Sequence, residues 1–120
     1  MSSKYILAIE TSSSICGVAV FHNNKLLSIE EKDVRRKHAE LLPGLTKASL
    51  SNIKITLDDI DAIAISIGPG SFTGLRIGLG FSKGIAYAKD LPIIPVPSML
   101  SLAYSLREYE PKQGILHSHA

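Results

Sequence analysis

The sequence predicts an α/β lobe built on a five-stranded mixed sheet, in the element order β-β-β-α-β-α-β-α. Three observations carry this. Short continuous apolar runs, bounded by polar or glycine-rich breaks, mark buried strands. Between the later runs the hydrophobic period lengthens to helical spacing. The last two strands are each reached through a helix, which makes them parallel to the first.

The elements follow in order. Tyr5-Ile6-Leu7-Ala8-Ile9 reads as a central strand, ended by Glu10-Thr11-Ser12-Ser13-Ser14. Ile15 to Phe21 is the second strand and Leu26 to Lys32 the third. The turn His22-Asn23-Asn24-Lys25 suits residues with φ > 0 and closes an antiparallel meander. Leu41, Leu42, Leu45 and Ala48 recur near helical spacing over about 38–51, where Pro43 is expected only in the first turn. Ala62 to Ile67 is a strand, broken by Gly68-Pro69-Gly70-Ser71. A long helix follows from Phe72 or Thr73 to Lys89. Pro92 to Val96 is the fifth strand, and Ser98 caps a last helix to Leu106 or Arg107. The lobe is expected to span 1–111, with 112–120 a tail or the truncated start of a second lobe.

A chain of 120 residues is enough for one domain with a real core. It is 45 % hydrophobic and 20 % charged, which is globular composition and not that of a disordered chain. The balance of 13 basic against 11 acidic residues is too even to imply a nucleic-acid or membrane partner from its field alone. A single cysteine, Cys16, leaves no intrachain disulfide and no CxxC zinc site. No apolar run reaches membrane-spanning length. The expectation is a soluble chain in a reducing, cytoplasmic setting.

Several groups admit two readings. Glu10-Thr11-Ser12, at a strand end, can hold a phosphate-bound metal or orient a water, or can simply satisfy a turn. Gly68 to Arg76 joins a strand to a helix, where backbone N–H groups attract anions and glycine permits close approach. It lacks the ending of a Walker A loop, and a tight connection capped by Ser71 or Thr73 fits equally. The long helix carries Gly74, Gly78, Gly80 and Gly84, each unfavourable by about 1 kcal/mol against Ala. These glycines cannot all face one surface, so some should meet the sheet and some a partner helix. His38 follows the basic group Arg35-Arg36-Lys37 and has no metal-ligand partner at i+3 or i+4. His117 and His119 lie in the tail, and Cys16 reads as a buried inert thiol.

Three stretches together resemble the TsaB (YeaZ) family: Ile9-Glu10-Thr11-Ser12, His38-Ala39-Glu40-Leu41-Leu42-Pro43, and Ile67-Gly68-Pro69-Gly70-Ser71-Phe72-Thr73-Gly74-Leu75-Arg76-Ile77-Gly78. The third is the most specific, and the likeness covers about residues 4–106. It implies a ribonuclease-H-like lobe of the actin-like ATPase superfold. It also implies a non-catalytic scaffold that binds and stabilises the TsaD-like enzyme forming threonylcarbamoyladenosine at position 37 of tRNA. TsaD-like chains share the Gly-Pro-Gly loop but carry a metal-binding His-x-x-x-His after the fifth strand. Here those positions are Ser98 and Leu102, so no metal is expected.

The resemblance further implies partners: a TsaD-like subunit, a TsaE-like ATPase in the same complex, a second copy of the chain, and tRNA indirectly, with no membrane. The interface would use the first two helices, through His38, Leu41, Leu42, Leu45, Thr73, Gly74, Gly78, Phe81 and Gly84. Glu10, Thr11, Ser12, Gly68 and Gly70 would lie near a nucleotide or phosphate. No cofactor is expected, beyond weak ATP or ADP binding in a complete complex, because family members usually have two lobes with a cleft between them. The alternative is an ATP-dependent phosphotransferase or hydrolase with Glu10 organising Mg²⁺. A peptidase finds no nucleophile–base or metal pair in the sequence.

Overall fold

A computed structural model describes residues 4–12, 15–23, 25–33, 38–68 and 72–98. The sheet has five strands in the order β3-β2-β1-β4-β5. These are β1 (Tyr5–Glu10), β2 (Ile15–His22), β3 (Lys25–Asp33), β4 (Ala62–Ser66) and β5 (Ile93–Val96). β1 pairs antiparallel with β2 and parallel with β4, while β2–β3 is antiparallel and β4–β5 parallel. That is the mixed sheet the sequence predicts. The final helix expected after Ser98, the basic group 35–37 and the tail from 112 lie outside the described residues, so the expected boundary near 111 does too.

Local chemistry fixes the frame. Asn23 takes φ 50° at the β2–β3 turn, and Lys4 and Asn23 hydrogen-bond reciprocally. Tyr5 N–H donates to Asp61 Oδ2 at 2.8 Å, and Asp61 N–H donates to the Tyr5 carbonyl at 2.8 Å. This double clasp ties the start of β1 to the entry of β4. The Tyr5 and His22 rings stack with centroids 4.1 Å apart.

Helices α1 (His38–Ser51) and α2 (Phe72–Lys89) cover one face of the sheet. There Leu42, Leu45 and Leu50 of α1 and Ala86 of α2 pack on Leu7, Ile9, Val18, Val20, Ile63 and Ile65. Ile6, Ala8, Ala19, Phe21, Ala64 and Val96 cluster on the opposite face. Pro43 stands in the second turn of α1, not the first, so its ring removes one bond to the Ala39 carbonyl. Ala39 and Pro43 are both exposed, where water can take that carbonyl.

Between α1 and β4 a 3₁₀ turn, Leu57–Asp59, is set by a capping box. Asp58 N–H donates to Thr56 Oγ1, and Thr56 N–H donates to Asp59 Oδ2. At the end of α1, Asn52 Nδ2 donates to Glu30 Oε2 at 2.7 Å, binding the helix to the edge strand β3.

Candidate functional site

The strand-end group divides between the two faces. Leu7 and Ile9 point to the helical face and Ile6 and Ala8 to the other. The same alternation sends Glu10 away from the helices and Thr11 toward them. Thr11 is fully buried beneath α2, and its Oγ1 has no hydrogen-bond partner. Glu10 is half-buried, and its Oε2 accepts from both Ser12 N–H and Ser12 Oγ. The carboxylate thus holds both the backbone N–H and the hydroxyl of Ser12 at the turn after β1.

Gly68 lies where a Cβ would strike the Pro97 carbonyl oxygen, and Ser66 Oγ donates to that same oxygen at 3.5 Å. Its small size thus lets the exits of β4 and β5 come together. Gly70 lies outside the described residues. Among the residues expected near phosphate, Thr11 and Glu10 do not converge on one point.

The helical residues sort clearly. Leu42 and Leu45, expected at an interface, are 1 % and 6 % exposed and belong to the core. The reason is that one stripe of α1 must cover the apolar side of β2. Gly74 and Gly78, also expected at an interface, are buried on the sheet side of α2 with Ser82 and Ala86. A Cβ at Gly78 would collide with Thr11 Oγ1 and stand 3.0 Å from Ile65 Cδ1. Thr73 and Gly84 are exposed, and a Cβ on Gly80 or Gly84 would meet nothing within 4 Å. Leu41 and Phe81 are half-buried. His38 opens α1, and its side chain lies outside what the structure describes.

One further feature was not legible in the sequence. A groove of about 530 Å³ runs between α1, the 3₁₀ turn and α2. Leu50, Ile55, Leu57, Phe81 and Ile85 give it an apolar wall. Thr46, which also lines it, is buried with an Oγ1 that has no partner. At one end Lys89 Nζ pairs with Asp58 Oδ1 at 2.6 Å. The signal for the turn was Thr56-x-x-Asp59, a capping-box pattern. The groove itself needs segments distant in sequence. Its make-up suits an apolar side chain with a polar tip.

An α/β lobe with this strand order, a Gly-Pro-Gly connection into its second helix and a groove on its helical layer defines an actin-like, ribonuclease-H-like unit. Residues 24–117 match the family model described as TsaD, tRNA N6-adenosine threonylcarbamoyltransferase. The chain is 33 % identical over 116 residues to a tRNA threonylcarbamoyladenosine biosynthesis protein TsaB from Haemophilus influenzae, covering 97 % of this chain and 49 % of that one. It is 38 % identical over 119 residues to the TsaB of Buchnera aphidicola subsp. Schizaphis graminum, covering 98 % and 56 %. The solved structure of YeaZ from Pseudomonas aeruginosa superposes with TM-score 0.72 and 35 % identity, over 78 % of this chain and 43 % of that one. The chain belongs to this threonylcarbamoyladenosine family, on its TsaB (YeaZ) branch. It spans about half the length of the curated relatives it matches. Among the described residues no helix is long and apolar enough to cross a membrane.

Proposed function

We propose that this chain is a non-catalytic docking lobe in the formation of threonylcarbamoyladenosine on tRNA. It holds the TsaD-like catalytic subunit through its helical layer, in a complex that also contains a TsaE-like ATPase, and it meets tRNA only indirectly. The groove between α1, the 3₁₀ turn and α2 carries this reading. It is apolar, it lies on the helical layer, and its buried Thr46 Oγ1 lacks a partner within the chain. A buried hydroxyl left unpaired costs about 1–3 kcal/mol, which a partner's hydrogen bond would recover. Ser98 and Leu102 stand where a TsaD-like chain has its metal-binding histidines, which supports a role without resident metal. The Glu10 carboxylate, held by Ser12, supports a structural rather than a catalytic use of that turn.

The test is reconstitution of tRNA modification from TsaD-like and TsaE-like proteins with and without this chain. Modification that depends on the chain, survives Glu10→Ala and falls with Phe81→Ala is expected. Turnover of ATP by the chain alone, abolished by Glu10→Ala, would establish the phosphotransferase or hydrolase alternative instead.

A further inference from the structure

The groove between α1, the 3₁₀ turn and α2 has the make-up of a small-molecule site. Three elements border it, and its volume of about 530 Å³ falls within the roughly 300–1,000 Å³ usual for such sites. Leu57, Phe81 and Ile85 give it apolar walls. Three charged residues line it: Lys47 on α1, Asp58 in the 3₁₀ turn and Lys89 on α2. Asp58 and Lys89 are matched to each other by an ion pair of 2.6 Å. Lys47 is exposed and has no ion pair among the described residues, so the groove keeps one unmatched positive charge. Next to it on α1, Thr46 is buried, and its Oγ1 has no hydrogen-bond partner. The groove therefore offers apolar walls, one spare cation and one spare hydroxyl, and its only carboxylate is already paired.

We infer that the groove binds a small apolar monocarboxylate, a hydrocarbon body ending in one carboxylate. The hydrocarbon lies against Leu57, Phe81 and Ile85, and its removal from water is the main gain. The carboxylate turns to the Lys47 ammonium at the groove's rim. An acceptor oxygen beside Thr46 supplies the hydrogen bond that Oγ1 otherwise lacks. The Asp58–Lys89 pair stays intact. A cationic amphiphile would meet Lys47 as a like charge, and a neutral alcohol would gain nothing from it. The site itself rests on the groove alone. Its consequence rests on the docking reading above: an acid seated there occupies the space that the catalytic partner needs, so such acids lower assembly of the complex.

Decanoate is the probe, with decanol as its neutral counterpart. Each is titrated into the full chain and followed by amide NMR. Shifts should move at Thr46, Leu57 and Phe81 and stay still at Ile29 and Phe72, which are exposed apolar residues outside the groove. Lys47→Met should weaken decanoate about threefold, the worth of an exposed ion pair, and leave decanol unchanged. Leu57→Ala should weaken both ligands. Shifts centred on Ile29 or Phe72 would overturn the inference. So would Lys47→Met binding decanoate as tightly as wild type, or no saturable binding below the concentration at which decanoate forms micelles. Adding a TsaD-like protein separates this inference from the docking reading. Decanoate that maps to the groove and weakens partner binding supports both. Decanoate that maps to the groove while the partner binds as before supports the site and ends docking in the groove. Partner binding that falls with Phe81→Ala, in a chain that takes up no decanoate, keeps docking and overturns the site.

Discussion

Thr11 Oγ1 fills the space in which a Cβ on Gly78 would stand. The relationship explains why the second helix tolerates a glycine in its interior at this point. Gly74, Gly78, Ser82 and Ala86 form one stripe of small residues that seats α2 low on the sheet. Gly78→Ala should therefore destabilise the chain by about 1–2 kcal/mol, the cost of overpacking exceeding the gain in helix propensity. Thr11→Ala should relieve that clash, with a coupling of about 1 kcal/mol in the double-mutant cycle. Gly44→Ala, where a Cβ meets nothing within 4 Å, should instead stabilise by up to about 1 kcal/mol. Urea denaturation of the four variants checks the signs. A Gly78→Ala variant that gains stability would show that α2 does not rest on Thr11.

Cys16 lies fully buried in β2, and burial pushes its thiol up to about 11 from an ordinary 9.0. The native thiol should react with a disulfide reagent at pH 8 only as fast as the chain opens, and at once in denaturant. Because the folded value is raised, the fold favours the neutral thiol. Its stabilising share is complete below pH 9 and is lost as pH rises from 9 toward 11. Rapid stoichiometric labelling of the folded chain would contradict this placement.

The Lys89 ammonium holds the Asp58 carboxyl below its ordinary 3.8, first by hydrogen bonding and then by charge. A lowered folded value stabilises above the unfolded one and is lost as pH falls through the folded one. The stability difference between wild type and Lys89→Met should therefore be present at neutral pH, shrink below 3.8, and shrink with added salt, since the pair is exposed. Thermal melts over that pH range measure it. A difference that persists at pH 2 would assign the loss to packing of the lysine stem instead.

Much of this fold was legible because its inner strands β1, β2 and β4 are largely apolar runs. Tyr5 to Ile9 could only be central, and Asn23 marked its turn by a preference for φ > 0. The four glycines of α2 announced two uses, since they cannot share a face. Which pair faces the sheet was not readable, because it depends on where Thr11 points after β1. Leu42 and Leu45 looked available to a partner, yet the same spacing serves the core. Pro43 lies deeper in α1 than proline preference places it, an arrangement open to it because the carbonyl it leaves unpaired faces water. The groove escaped altogether, since Thr46, Leu57 and Phe81 meet only through the fold.

In the proposed function, the groove between α1 and α2 receives the catalytic partner. The most direct measurement is titration calorimetry of a TsaD-like protein against this chain and its Leu57→Ala and Phe81→Ala variants, each shown folded by circular dichroism. Wild type should bind, and each variant should bind about tenfold or more weakly, as loss of a central apolar contact worth 1–3 kcal/mol requires. Equal affinity of both folded variants and wild type would place the partner elsewhere and contradict docking in the groove.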